Sequence, residues 1–117
     1  MSAVAERQAR YQREAPTAQL GHLGSNLSRI ASLLDHPQEQ QTLLQVFRES
    51  EYFVEWTATH WPFEIQDLLL QLQVRLAMWR RVWPRLGDKR EFRLAVAREA
   101  EQWSEILLRK ISHRGTS

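Results

Sequence analysis

Four histidines, His22, His36, His60 and His113, are the side chains best suited to hold a metal or shuttle a proton, and their spacing serves neither purpose. A di-iron bundle needs a Glu-x-x-His element on two helices, and no such element occurs. An axial haem pair would have to come from His22 or His60 with Met78, none of which falls on a core stripe. His60 beside Glu64 reads as a surface or capping pair. The absence of cysteine excludes thiolate zinc sites, iron–sulfur clusters, thiol catalysis and disulfide stapling. Serine nucleophiles are available at Ser25, Ser28, Ser32, Ser50 and Ser104. No histidine can be placed beside any of them, and Ser50, expected to be internal, should bond the carbonyl of the preceding turn. The stretch Leu20-Gly-His-Leu-Gly24 lacks the lysine and hydroxyl of a phosphate loop. Its small residues, with Ser25, Ser28 and Ala31, instead suit close approach to a neighbouring helix. The expectation is a non-enzymatic protein with no cofactor, metal or small-molecule substrate.

Basic residues form the second chemical feature. Arg80, Arg81, Arg85, Lys89, Arg90 and Arg93 cluster around one turn, beside the electropositive start of the last helix, where an anion or an acidic partner could bind. The window from Arg75 to Arg98 carries +6, whereas Glu39 to Asp67 carries −5. The whole chain is only +2. Nucleic-acid binding at this end is the alternative reading. It is opposed by the small net charge and by helices too long for an ordinary helix-turn-helix reader. Arginine outnumbers lysine by fourteen to two throughout the chain, so arginine in the cluster carries little information by itself.

The elements that must position these groups are helices. Leu20, Leu23, Leu27, Ile30 and Leu34 recur at intervals of three and four, predicting a helix over 18–34. Asp35 with Pro37 and Gln38 reads as a cap for a second helix over 37–60, with Leu43, Val46, Phe47, Ser50, Phe53, Val54, Thr57 and Ala58 inward. A third, over 62–83, carries Ile65, Leu68, Leu69, Leu72, Leu76, Trp79 and Trp83 and ends at Pro84 and Gly87. Asp88 with Glu91 reads as the cap of a fourth, over 88–111, facing inward through Phe92, Ala95, Val96, Trp103, Ile106, Leu107 and Ile111. No stretch alternates as a strand does. The fold expected is all-α, an antiparallel up-down-up-down four-helix bundle over 16–112. Residues 1–15 form an extension, either a short helix or disordered, and 113–117 a tail.

Two sets of apolar residues point away from the predicted core. Leu70, Val74 and Met78 follow one another at four-residue steps, and Tyr52 and Trp56 do the same on the preceding helix. If the two helices form a hairpin, these stripes are neighbours with no partner in a monomer. Contiguous exposed apolar surface marks an interface, or else the N-terminal segment covers it. Trp61, Trp79, Trp83 and Trp103 are expected in the core, and Trp56 as an interface anchor. The reading is a helical adaptor or regulatory protein acting through protein–protein contacts, homodimeric or bound to another protein; an enzyme accessory subunit is a further alternative. With 117 residues, 43% apolar content and no long uncharged apolar run, one domain without a membrane span is expected. The opening MSAVAERQARYQREAP has no apolar leader, so the expected location is cytoplasmic.

Overall fold

A computed structural model describes residues 2–58 and 61–115. Among them the architecture is all-α, a four-helix bundle with a short additional helix at its N-terminal side. The elements are α1 (Ala3–Gln12), α2 (Pro16–Leu33), a 3-10 turn (Pro37–Glu39), α3 (Gln40–Ala58), α4 (Phe63–Leu86) and α5 (Arg90–Gly115). The extension expected at the start is therefore a helix. Ser2 caps it, accepting a hydrogen bond from the Ala5 amide at 3.1 Å.

Several boundaries differ from the sequence expectation, α2 already beginning at Pro16 rather than at 18. Asp35 does not cap α3: Pro37 opens a 3-10 turn instead, with the Glu39 amide bonded to the His36 carbonyl at 2.9 Å, and His36 in the capping position makes no side-chain cap. Pro84 does not end α4, which runs on to Leu86. Only the last turn follows it, so proline removes one backbone bond where the helix is about to stop anyway. The Gly87 amide closes that turn on the Trp83 carbonyl at 2.8 Å. α5 begins at Arg90 rather than directly after Asp88, and continues to Gly115, past the expected end at 111.

The core is one cluster contributed by α2 to α5. Leu20, Leu23, Leu27, Ile30 and Leu34 are all buried, as are Leu69, Leu72, Leu76, Trp79 and Trp83. Phe47 sits between Trp79 and Trp83, with ring centroids 6.2 and 6.0 Å away. Ser50 bonds the Val46 carbonyl at 2.7 Å, the intrahelical arrangement expected of it. The side chain of Ala58, expected inward, lies outside the described residues, as do residues 59 and 60 and with them the expected His60–Glu64 pair.

Side-chain size sets the spacing of the helices. α2 packs closely and extensively against α5 because small residues face each other. Ser104 donates to the Gly24 carbonyl at 3.0 Å, and its hydroxyl is 2.9 Å from that of Ser28. The inward face of α5 is thus Val96, Ala100, Ser104 and Leu107, whereas Ala95, expected inward, is exposed. The α4–α5 pair is held further apart by bulky residues: Trp83 meets Phe92 near the turn, and Trp103 is only half-buried at the edge. Arg75 bridges the gap with a two-pronged bond to Glu99, at 2.7 and 2.6 Å, and Trp103 donates to the same carboxylate at 3.2 Å.

α1 is fastened by one buried residue, Tyr11, and at the surface by Arg7, which donates to the Glu49 carboxylate at 3.2 Å. Tyr11 is buried, stacked on Phe53 with centroids 4.3 Å apart and tilted against Trp56 at 5.6 Å. Its hydroxyl donates to the Gln19 carbonyl at 2.9 Å; having one proton, it accepts from the Thr57 hydroxyl. Burial pushes the phenol well above its usual ionisation range, although the Thr57 bond works the other way. The Gln19 amide in turn donates to the Tyr11 and Glu14 carbonyls, both at 3.1 Å, satisfying groups freed at the end of α1.

Candidate functional site

The helical wheel of α4 has two unlike sides. Ile65, Leu69, Leu72 and Leu76 face the core, and the opposite side carries Leu70 at 58% exposure, Val74 at 63% and Met78 at 38%. Phe63 extends the same ridge and is 79% exposed. Phe63 is absent from the outer stripe expected from the sequence. Its seven-residue spacing to Leu70 was the available signal. Asp67, Arg81 and Arg85 are exposed on the same side, so the ridge is apolar in its middle, acidic towards its first turns and basic towards its last.

Shallow grooves flank the ridge. On the α3 side, Val54 and Gln66 lie beside Phe63, Asp67 and Leu70. On the α5 side the groove is lined by Leu68, Val74, Trp103 and Ile106 and closed at one end by the Arg75–Glu99 pair. Burial raises the Glu99 carboxyl, but the bonds from Arg75 and Trp103 outweigh it and hold the group below its ordinary range.

Tyr52 and Trp56 do not join this ridge. Trp56 is only 5% exposed, because α1 places Tyr11 against it. The sequence alternative in which the N-terminal segment supplies the cover describes this residue correctly. Tyr52 is half-buried, stacked on Trp56 at 5.4 Å with the Arg48 guanidinium 5.1 Å from its ring centre. It lines a depression with Arg7, Arg29 and Glu49, on the α1 side of α3. The expected union of the two stripes fails because Val54, not Tyr52, is the α3 residue beside Leu70.

The basic end is partly spent within the protomer. Arg80 makes a two-pronged bond to Glu51, at 2.6 and 3.2 Å, which raises the guanidinium further above its ordinary value despite the opposing effect of burial. Arg93 donates to the Gly87 carbonyl at 3.1 Å and so caps α4 from α5. Arg81, Arg85, Lys89 and Arg90 are exposed. Glu51 belongs to the acidic stretch, so part of the charge asymmetry read from the sequence is neutralised across the α3–α4 contact.

His22 pairs with Glu14 at 2.8 Å on the surface of the α1–α2 turn. Among the described residues no group of three or more histidine, aspartate or glutamate side chains could hold a metal ion. Nor is any described helix long and apolar enough to cross a membrane. No family model, curated protein or solved structure matches this chain.

Proposed function

We propose that this chain is a non-enzymatic adaptor or regulatory protein whose working surface is the outer ridge of α4. The observation that carries the reading is the run of exposed apolar side chains Phe63, Leu70, Val74 and Met78 on one side of a helix whose other side is already in the core. Such a run costs solubility unless another surface covers it. Aromatic and methionine side chains are also those that contribute most where protein surfaces meet. Nucleic acid is a weaker fit to the basic end: Arg80 and Arg93 are engaged within the protomer, and Glu51 lies against the cluster.

A photo-crosslinking amino acid at position 74, introduced in living cells, tests the reading. A protein adduct is expected there, lost when Met78 is also changed to glutamate, and none is expected from the exposed position 101 on α5. Equal labelling at both positions, or none at 74, would overturn it.

A further inference from the structure

We propose that the α4 ridge is covered by a second copy of this chain, the two α4 helices running antiparallel about a two-fold axis through Val74. This rests on the reading of the ridge as a protein-binding surface and names its partner.

The support is the order of residues along the ridge. In the antiparallel arrangement each residue faces the one equally far beyond Val74 on the other copy. Leu70 then meets Met78, apolar on apolar. Asp67 meets Arg81, both exposed and seven positions from Val74 in opposite directions. Phe63 meets Arg85, whose guanidinium can lie over the ring. Val74 meets its own copy on the axis, and every other contact occurs twice, as a two-fold interface requires. Turned end for end, the ridge is its own complement. A parallel pairing instead sets Asp67 on Asp67, Arg81 on Arg81 and Arg85 on Arg85, three like-charge contacts that oppose it. Among the described residues, neither Arg81 nor Arg85 is paired with a carboxylate of its own chain.

The spacing also suits sustained contact. Phe63, Asp67, Leu70 and Val74 step by four, three and four residues, and Val74, Met78, Arg81 and Arg85 do the same, an eleven-residue repeat close to the helical period that keeps the paired residues on one nearly straight stripe. From Phe63 to Arg85 the seam is about 33 Å long at 1.5 Å rise per residue. The flanking grooves leave room beside the ridge for the partner's side chains.

The chain has no native cysteine, so single introduced cysteines report the register cleanly. Sedimentation equilibrium at about 100 μM, a range in which modest interfaces associate, is expected to give twice 13.9 kDa. On oxidation, Val74→Cys is expected to link to itself. Leu70→Cys and Met78→Cys should each remain unlinked alone and link when mixed. Position 70 lies about 12 Å along the axis from its own copy in this register, beyond the roughly 7 Å that a disulfide spans. Asp67→Arg and Arg81→Asp should each weaken dimerisation about tenfold, and the double exchange should restore it. These positions are exposed, so circular dichroism, and the melting temperature at a dilution where wild type is monomeric, should stay at wild-type values.

Self-linking of Leu70→Cys would overturn the antiparallel register, and so would a double exchange no better than either single change. A monomer at that concentration overturns the second copy as partner. If position 74 still gives a specific adduct with a different protein, the wider reading stands without the dimer; if it gives none, both fall.

Discussion

Tyr11 is the buried residue by which α1 holds to the bundle, so Tyr11→Phe is the sharpest probe of that attachment. The change keeps the ring stacked on Phe53 and Trp56 and removes one oxygen. The Thr57 hydroxyl, fully buried, then loses the acceptor of its proton. Leaving a buried polar group unsatisfied costs about 1–3 kcal/mol. A loss of about 2 kcal/mol corresponds to a fall of roughly 8 °C in melting temperature for a domain near this size. Tyr11→Ala removes the ring as well, which for a large buried aromatic costs about 3–5 kcal/mol when the site cannot rearrange. Here the site can rearrange, because α1 can detach while α2 to α5 keep their common core. The alanine variant should therefore lose amide protection over Ala3–Gln12 and admit a quencher to Trp56, with the bundle still cooperative in urea. The phenol supplies an independent check in a Tyr52→Phe background, where Tyr11 is the only tyrosine. Its ionisation is raised above the ordinary value of 10.0, so stability is fully present below pH 10 and lost as pH rises beyond it. Tyrosinate absorbance should therefore appear together with unfolding. A Tyr11→Phe variant within about 0.3 kcal/mol of wild type, well under the cost of one lost buried bond, would refute the bonding scheme, and a smooth titration in the folded state would refute the burial.

Leu72→Ala should cost about 2–5 kcal/mol in denaturant unfolding, since the side chain is fully buried among α4's core neighbours and leaves a cavity. Gly24→Ala should stabilise by about 0.5–1 kcal/mol through helix propensity, because an added Cβ would sit 3.9 Å from Ser104, an ordinary contact; a drop in melting temperature would show the α2–α5 seam to be tighter than its geometry. For Glu99 the folded-state carboxyl lies below its ordinary 4.5, so the stability it contributes is present above that pH and lost as pH falls through the lower folded value. Glu99→Gln should flatten the acid side of the stability curve between pH 5 and 3, and an unchanged slope would contradict the assignment.

The large apolar side chains made the bundle legible. The heptad-like runs in α2 and α4 named their buried faces with almost no error, because leucine at steps of three and four has one helical interpretation. α5 was harder: its inward face uses Ala100 and Ser104, residues that hydropathy does not rank highly, and their role depends on Gly24 and Ser28 across the seam. Trp56 was misplaced for a related reason. The spacing on α3 sets it away from the bundle core and beside the outer stripe of α4, but it is covered by α1, whose single buried anchor, Tyr11, leaves no periodic apolar stripe to detect. Pro84 misled because a proline in a final turn and a proline beyond it look alike in sequence. Of the ridge, Leu70, Val74 and Met78 are evident from spacing alone, and Phe63, seven residues before Leu70 within the helix expected over 62–83, is legible by the same spacing although the sequence expectation omits it.

The contact between Gly24 and Ser104 spans 80 positions of sequence, whereas α2 with α3 and α3 with α4 are successive neighbours. Closing a loop of that length carries about 4 kcal/mol of length-dependent entropy, against much less for either hairpin. In the order of events during folding, the small-residue seam is therefore the late step, formed after the three preceding helices have found one another. Substitutions that loosen it, such as Ser104→Val, should accelerate unfolding while leaving the refolding limb of the chevron almost unmoved. The seam then governs how long the native bundle persists rather than how quickly it is reached.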